Sequence, residues 1–165
     1  MRGFLYGQTE YTMFNNTIHL DDYVALAKKS GFDYLSITDT NLYGHYKFYT
    51  KCLENNIKPV IGLEITLADT DGYKSKYLLY AKNNIGYKHL LKLSSLVSTG
   101  KEIILDEVIK VSNDLIIILV FEGSYLERYL ISNSKDLLIE SINRLGNIYI
   151  GYSYTNRLDK LINNE

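Results

Sequence analysis

The sequence predicts an α/β fold, and three observations support this prediction. Short segments rich in β-branched and aromatic residues alternate along the chain with segments whose apolar residues recur at helical spacing. One of the strand-like segments, residues 115–120, is an unbroken apolar run, which is typical of a strand buried on both faces. A single proline and the lack of a Ser- or Gly-rich linker give no internal boundary, so residues 1–165 are predicted to form one domain.

The first half of the chain contains three predicted strands and two predicted helices. The strands cover residues 4–7, 34–38 and 59–65, and the helices cover residues 20–29 and 46–53. The first helix has the clearest ends. Asp21 and Asp22 stabilise the positive end of the helix dipole, and Gly31 provides a stop.

The second half continues the alternation. An Asp-Gly turn signal at residues 69–72 predicts that the third strand joins residues 77–81 as a hairpin or an extension. Further helices are predicted at residues 87–97, 106–111, 125–131 and 135–145, and further strands at residues 115–120 and 148–150. The chain therefore has six predicted strands, and the intervening helices imply parallel βα units.

Charge and cysteine content limit the possible functions. Eighteen basic residues face 19 acidic ones, for a formal net charge of −1, so this segment alone is not predicted to bind nucleic acid through its phosphates. The single cysteine, Cys52, can form neither an internal disulfide nor a cysteine-rich zinc site, which indicates a reducing compartment. No apolar run reaches the roughly 18 residues of a membrane span. We therefore expect a cytoplasmic protein with no membrane partner.

Two acidic residues stand out as candidates for a functional site. Asp39 and Glu64 lie at the ends of neighbouring predicted strands, where functional side chains gather in βα folds. The alternative is structural, because each carboxylate could simply cap the helix or turn that follows it. Spacing alone leaves both possibilities open.

Five segments, taken in order, resemble a known family. They are residues 9–12 (TEYT), 35–39 (LSITD, continued by Leu-Tyr-Gly), 47–49 (KFY), 57–64 (IKPVIGLE) and 80–87 (YAKNNIGY). Together they resemble the PHP (polymerase and histidinol phosphatase) domain at the N-terminus of the bacterial DNA polymerase III alpha subunit, a C-family polymerase, in its low-GC Gram-positive form. The resemblance is clear over residues 4–100 and weaker beyond them. It implies a distorted (β/α)7 barrel, incomplete here with six strands, and an N-terminal fragment of a longer polymerase chain.

The resemblance also implies where a metal site would lie. Active PHP domains bind two or three metal ions through a His-X-His pair after the first strand, often with an Asp a few residues later, a Thr-Asp-His after the second strand and a Glu after the third, and through further His, Cys and Asp ligands later in the chain. The matching positions in this chain are Tyr6, Gln8, Asn15, Asp39, Thr40 and Glu64. Only Asp39 and Glu64 keep a carboxylate, and the neutral side chains cannot replace imidazole ligands. We expect these positions to be vestigial, with no catalytic residue and no bound metal; a hydrated Mg²⁺ on Asp39 and Glu64 is the remaining possibility.

The other candidate ligands and nucleophiles lie elsewhere. His19, His45 and His89 match none of the family positions, and His45 and His89 fall in helical segments, where exposed or partly packed histidines are expected. Cys52 lies on an amphipathic helical segment without a nearby histidine in sequence, which favours a buried structural thiol over a nucleophile.

The resemblance implies a scaffolding function in DNA replication. The domain would pack against the thumb and palm of the polymerase and in some members support proofreading, while the parent enzyme would supply the Mg²⁺-dependent nucleotidyl transfer. DNA and replisome subunits such as the sliding clamp would be reached through the parent chain, and this fragment alone would not be catalytic. The alternative is a metal-dependent phosphoesterase with an atypical ligand set on Asp39, Glu64 and Glu10. A dinucleotide-binding domain is disfavoured because the chain lacks a G-x-G-x-x-G motif.

Overall fold

The computed structural model describes residues 1–12, 17–68 and 72–152, and in these ranges six strands form one sheet. The strands are β1 (Gly3–Phe4), β2 (Tyr34–Ile37), β3 (Lys58–Ala68), β4 (Lys74–Ala81), β5 (Leu115–Val120) and β6 (Tyr149–Gly151). The α-helices are α1 (Leu20–Lys29), α2 (His45–Glu54), α3 (Asn84–Ser98), α4 (Leu105–Ile109), α5 (Tyr125–Ile131) and α6 (Lys135–Leu145). The predicted α/β class is confirmed, and each predicted element has a counterpart.

The strands follow one another across the sheet in chain order, from β1 to β6. Strands β1, β2 and β3 are parallel, β4 is antiparallel to both β3 and β5, and β6 is parallel to β5. The sheet curls into a half-barrel that matches an incomplete (β/α) barrel, as expected.

The orientation of β4 corrects the expectation of parallel units throughout. Five residues connect Ala68 to Lys74, whereas a crossover between parallel strands needs a dozen or more. The connection therefore closes a hairpin, which was one of the two predicted alternatives. Residues 69–71 of the predicted turn lie outside the described residues.

Two apolar clusters hold the helices against the sheet. The larger cluster packs α3, α4 and α5 against one face of β3, β4 and β5, with Leu63, Leu79 and Leu90 fully buried. The smaller cluster packs α1 and α2 against β2 around Leu35 and Phe48. These clusters fix the ends of β1 and β2 and the middle of β3, where the candidate site lies. Glu64 was predicted at the end of its strand, but it lies inside β3, which continues to Ala68 because the hairpin with β4 extends the strand.

Strand β5 is not buried on both faces, so this prediction is wrong. Leu115, Ile117 and Leu119 are each 2% exposed or less, whereas Ile116 is 38% exposed. The cross-strand register pairs Ile118 with Leu78, which in turn pairs with Glu64. Ile116 and Ile118 therefore lie on the face of the sheet that carries Glu64. Described helices pack on the other face of the sheet, which accounts for the alternation.

The described part of the chain contains no helix that is both long and apolar enough to cross a membrane. Among the helices of the described ranges, α3 is the longest, with 15 residues.

Candidate functional site

The candidate site forms where the segment after β1 lies across the end of β2. The Thr38 backbone N–H donates to the carbonyl of Gly7 at 2.6 Å, and the Thr38 hydroxyl donates to the same oxygen at 3.0 Å. A Cβ atom on Gly7 would lie 1.8 Å from the Tyr23 hydroxyl oxygen. Glycine is therefore required at this position for the two segments to approach so closely.

Asp39 is fully buried and anchors this segment. Its Oδ1 accepts hydrogen bonds from the Thr9 backbone N–H at 2.7 Å and from the Thr12 hydroxyl at 2.6 Å, and its Oδ2 accepts from the Thr9 hydroxyl at 2.7 Å. Thr9 and Thr12 are themselves buried. Both carboxylate oxygens of Asp39 therefore serve as acceptors for protein donors, which hold the loop after β1 against β2.

Glu64 is 7% exposed, and its carboxylate contacts three side chains, two from the segment after β1 and one from β4. Its Oε2 accepts from the Tyr6 hydroxyl at 2.6 Å and from the Gln8 side-chain amide at 2.9 Å. Its Oε1 lies 3.1 Å from the ammonium nitrogen of Lys76. Burial, together with the hydrogen bond to Glu64, raises the pKa of Tyr6, so its hydroxyl keeps the proton that it donates.

The two carboxylates are adjacent through the backbone. The Glu64 backbone N–H donates to the Asp39 carbonyl at 3.1 Å, and the Thr40 backbone N–H donates to the Thr12 hydroxyl at 3.3 Å. Five of the six family positions therefore come together here, while Asn15 lies outside the described residues. Within residues 1–12, 17–68 and 72–152, no three His, Cys, Asp or Glu side chains lie close enough together to hold one metal ion.

Glu10, the third acid of the phosphoesterase alternative, is not brought into contact with the other two, and its buried Oε2 has no hydrogen-bond partner among the described residues. Its Oε1 lies 3.8 Å from Nδ1 of His19, which directly precedes α1. The described contacts thus associate Glu10 with the start of α1 and do not connect it with Asp39 or Glu64.

Sequence reasoning missed Lys76 and assigned no role to Thr9 and Thr12. Lys76 was missed because the fourth strand was predicted to begin at residue 77, whereas β4 begins at Lys74. Register in the β3–β4 hairpin pairs Thr66 with Lys76 and Glu64 with Leu78, so the two charged side chains are diagonal neighbours on one face. Extending the hairpin by one pair would have revealed this contact.

The helical histidine His45 differs from its expectation of partial exposure. It begins α2, is 2% exposed, and has no hydrogen-bond partner at either ring nitrogen among the described residues. Burial lowers the pKa of His45 to about 4, against a smaller opposing effect of the Gly62 backbone. The ring is therefore neutral at pH 7.

Cys52 is a buried free thiol in the smaller cluster, as predicted. Burial raises the pKa of Cys52 to about 12, so the thiol stays protonated and unreactive at neutral pH.

A cavity of about 310 Å³ opens beside Glu64. Thr40, Lys74 and Lys101 also line it, and the ammonium of Lys74 pairs with Glu102 at 2.9 Å. A larger cavity of about 710 Å³ lies beside α5 and the start of α6 and is lined by none of the predicted site residues.

Comparison with known proteins gives matches to a family model, to named relatives and to a solved structure. A family model described as the PHP domain matches residues 6–155. A protein named DNA polymerase III subunit alpha from Halalkalibacterium halodurans is 33% identical over 123 residues, and one of the same name from Staphylococcus aureus strain COL is 41% identical over 122 residues. Each alignment covers 72% of this chain and 11% of the relative, so the chain spans about a tenth of these proteins.

A solved structure described as that of a metal-dependent phosphoesterase from Bifidobacterium adolescentis is also similar. It shares 19% identity at a TM-score of 0.45, over 57% of this chain and 32% of the other. A likeness at this TM-score supports no conclusion about this chain.

Proposed function

The chain belongs to the PHP domain family, and on this basis we propose that it forms the N-terminal PHP domain of a replicative DNA polymerase III alpha subunit. The relatives that carry this name, at 33% and 41% identity, support the proposal. In this proposal the domain has a structural role in a cytoplasmic polymerase and packs against its thumb and palm. Nucleotidyl transfer and its Mg²⁺ belong to the rest of the parent chain, as do contacts with DNA and the sliding clamp.

The metal site of the domain is degenerate in this proposal. The observation that carries this point is the engagement of both carboxylates by protein donors. Asp39 accepts three hydrogen bonds, and Glu64 accepts two and pairs with an ammonium group. A divalent metal would need the same oxygen lone pairs and would have to displace these donors. Tyr6 and Gln8 stand where the family has imidazoles, and neither supplies a good ligand for zinc or manganese.

The structural role follows from what the donors connect. Asp39 ties the loop after β1 to the end of β2, and Glu64 ties β3 both to this loop and to β4. Each carboxylate is buried, so its hydrogen bonds form at low effective dielectric and are costly to leave unmade. The former metal positions thus hold four parts of the domain together without an ion.

The proposal is tested in the full-length chain that carries this domain. With Asp39→Asn and Glu64→Gln combined, we expect a primer-extension rate within about two-fold of the wild type at a temperature where the domain stays folded. The temperature at which activity is lost should fall, because the variant weakens the network that holds the domain together. A matched control is Asp21→Asn, which removes an exposed acid paired with Lys47 and should change neither quantity.

Two results would contradict the proposal. One is a full-length chain that does not extend primers. The other is a loss of extension greater than about ten-fold in a variant that circular dichroism shows to be folded, since this would place the two carboxylates in the chemistry.

A further inference from the structure

We propose that the ammonium group of Lys76 takes the place of a metal ion at Glu64, so that the chain carries its own cation in the former metal site. This inference rests on the proposed degenerate site and names the residue that makes it stable without metal. Active family members carry imidazole ligands where this chain has Tyr6 and Gln8, which cannot replace them.

The need for a cation comes from the burial of Glu64. A carboxylate that is 7% exposed has lost most of its hydration and must be compensated by hydrogen bonds and opposite charge. Tyr6 and Gln8 supply two hydrogen bonds to Oε2 but no charge. Lys76 supplies the positive charge at Oε1, at 3.1 Å. The two oxygens are thus divided between neutral donors and the cation.

The backbone directs Lys76 toward this site. Thr66 pairs with Lys76 across the β3–β4 hairpin, which places Lys76 on the face of the sheet that carries Glu64. The Lys76 side chain is 44% exposed, while its ammonium reaches the buried carboxylate. The neighbouring Lys74 cannot serve equally well, because its ammonium is 2.9 Å from Glu102.

The ammonium also explains how the site would exclude a metal ion. A positive charge at Oε1 repels an approaching cation and occupies the oxygen that would bind it. Removal of this charge would leave Glu64 with two neutral donors beside a cavity of about 310 Å³. Mg²⁺ and Mn²⁺ bind through one or two carboxylates and several waters, so such a cavity could accept either ion.

The test is Mn²⁺ binding to the 165-residue protein by electron paramagnetic resonance. We expect Lys76→Met to bind Mn²⁺ at least about ten-fold more tightly than the wild type, and Lys76→Arg to behave like the wild type. Adding Glu64→Gln to Lys76→Met should abolish the gain. Lys58→Met is the matched control, since it removes an exposed ammonium on β3 from a residue that does not line the cavity.

A stability measurement covers the case in which Lys76→Met is poorly folded. Removal of the buried carboxylate should then restore stability, so the double variant should melt at a higher temperature than Lys76→Met alone. The inference is overturned if a folded Lys76→Met variant binds Mn²⁺ no better than the wild type, or if the double variant is no more stable than an unfolded single variant. If the wild type binds no metal in either case, the proposal of a degenerate metal site still stands. Tight metal binding by the wild type would overturn both proposals.

Discussion

At the scale of single residues, buried polar groups determine the chemistry of this chain. Asp39 and Glu64 are satisfied by hydrogen bonds and a lysine, so their burial is compensated within the protein. His45 has no such compensation and is kept neutral by burial. Burial without a hydrogen-bond partner among the described residues therefore makes His45 sensitive to acid.

His45 should make the domain less stable at mildly acidic pH. Its pKa is about 4 in the folded state against 6.5 for the free side chain, so only the unfolded state gains a proton as the pH falls below 6.5. The free energy of unfolding should therefore drop by about 2 kcal/mol between pH 7 and pH 5. Urea unfolding at both values measures this drop. The variant His45→Phe should lose most of it, while the control His89→Gln should keep it; an unchanged drop in His45→Phe would refute the assignment.

At the scale of elements, periodicity and turn signals predicted the helices and strands well. The apolar spacing indicated α1, α5 and α6 with the bounds that the structure shows. The first strand is shorter than predicted, because only Gly3 and Phe4 pair with β2 before the chain turns across its end. Local patterns indicate which segments are extended, but the pairing of each segment depends on partners that are distant in sequence.

For the candidate site, too, the sequence predicted which residues take part but not all of their contacts. Predicted strand ends and the family motif indicated Asp39 and Glu64 as neighbours, and the structure places them next to each other, although Glu64 lies inside β3 and not at its end. The charge partner of Glu64 could not be read from the motif, because it depends on the register of the β3–β4 hairpin. Likewise, the burial of β5 could not be judged from its apolar run, since burial depends on what covers each face of the sheet.

The packing of α3 on the chain before β5 gives a prediction at this scale. Gly86 is buried in the first turn of α3, and a Cβ atom there would lie 2.1 Å from the carbonyl oxygen of Asp114. Alanine gains up to about 1 kcal/mol in helix propensity, but this overlap forces the backbone to shift. We expect Gly86→Ala to lower the free energy of unfolding by about 2 kcal/mol, measured in urea.

The control for this prediction is Ser95→Ala, on the exposed side of the same helix. It gains propensity without a clash and should change stability by less than about 0.5 kcal/mol. Equal stability of the Gly86→Ala variant and the control would show that α3 tolerates a side chain at this contact.

At the scale of the whole molecule, the described residues cover the face of the sheet that carries Glu64 only in part. Ile116 is 38% exposed, and Tyr149 at the β6 edge is 65% exposed. An exposed apolar surface of this kind is typical of a region that packs against further protein. In the proposed polymerase, the remainder of the chain would supply this cover.

Ile116 allows this interpretation to be tested. Ile116→Lys should change the stability of the 165-residue chain by less than about 1 kcal/mol, because the ammonium can reach water. In the full-length chain the same change should destabilise the domain by at least about 2 kcal/mol, because the lysine would then be buried without a partner. Unfolding is followed in urea for both proteins. A small effect in both would show that Ile116 stays exposed in the parent chain.

In our proposal, this PHP domain holds its former metal site together with its own side chains. The most direct measurement is the metal content of the wild-type protein, purified without chelators and analysed by inductively coupled plasma mass spectrometry. We expect less than about 0.1 equivalent of zinc, manganese or iron per chain, because protein donors engage both carboxylates. One or more equivalents, lost on Asp39→Asn or Glu64→Gln substitution, would contradict it.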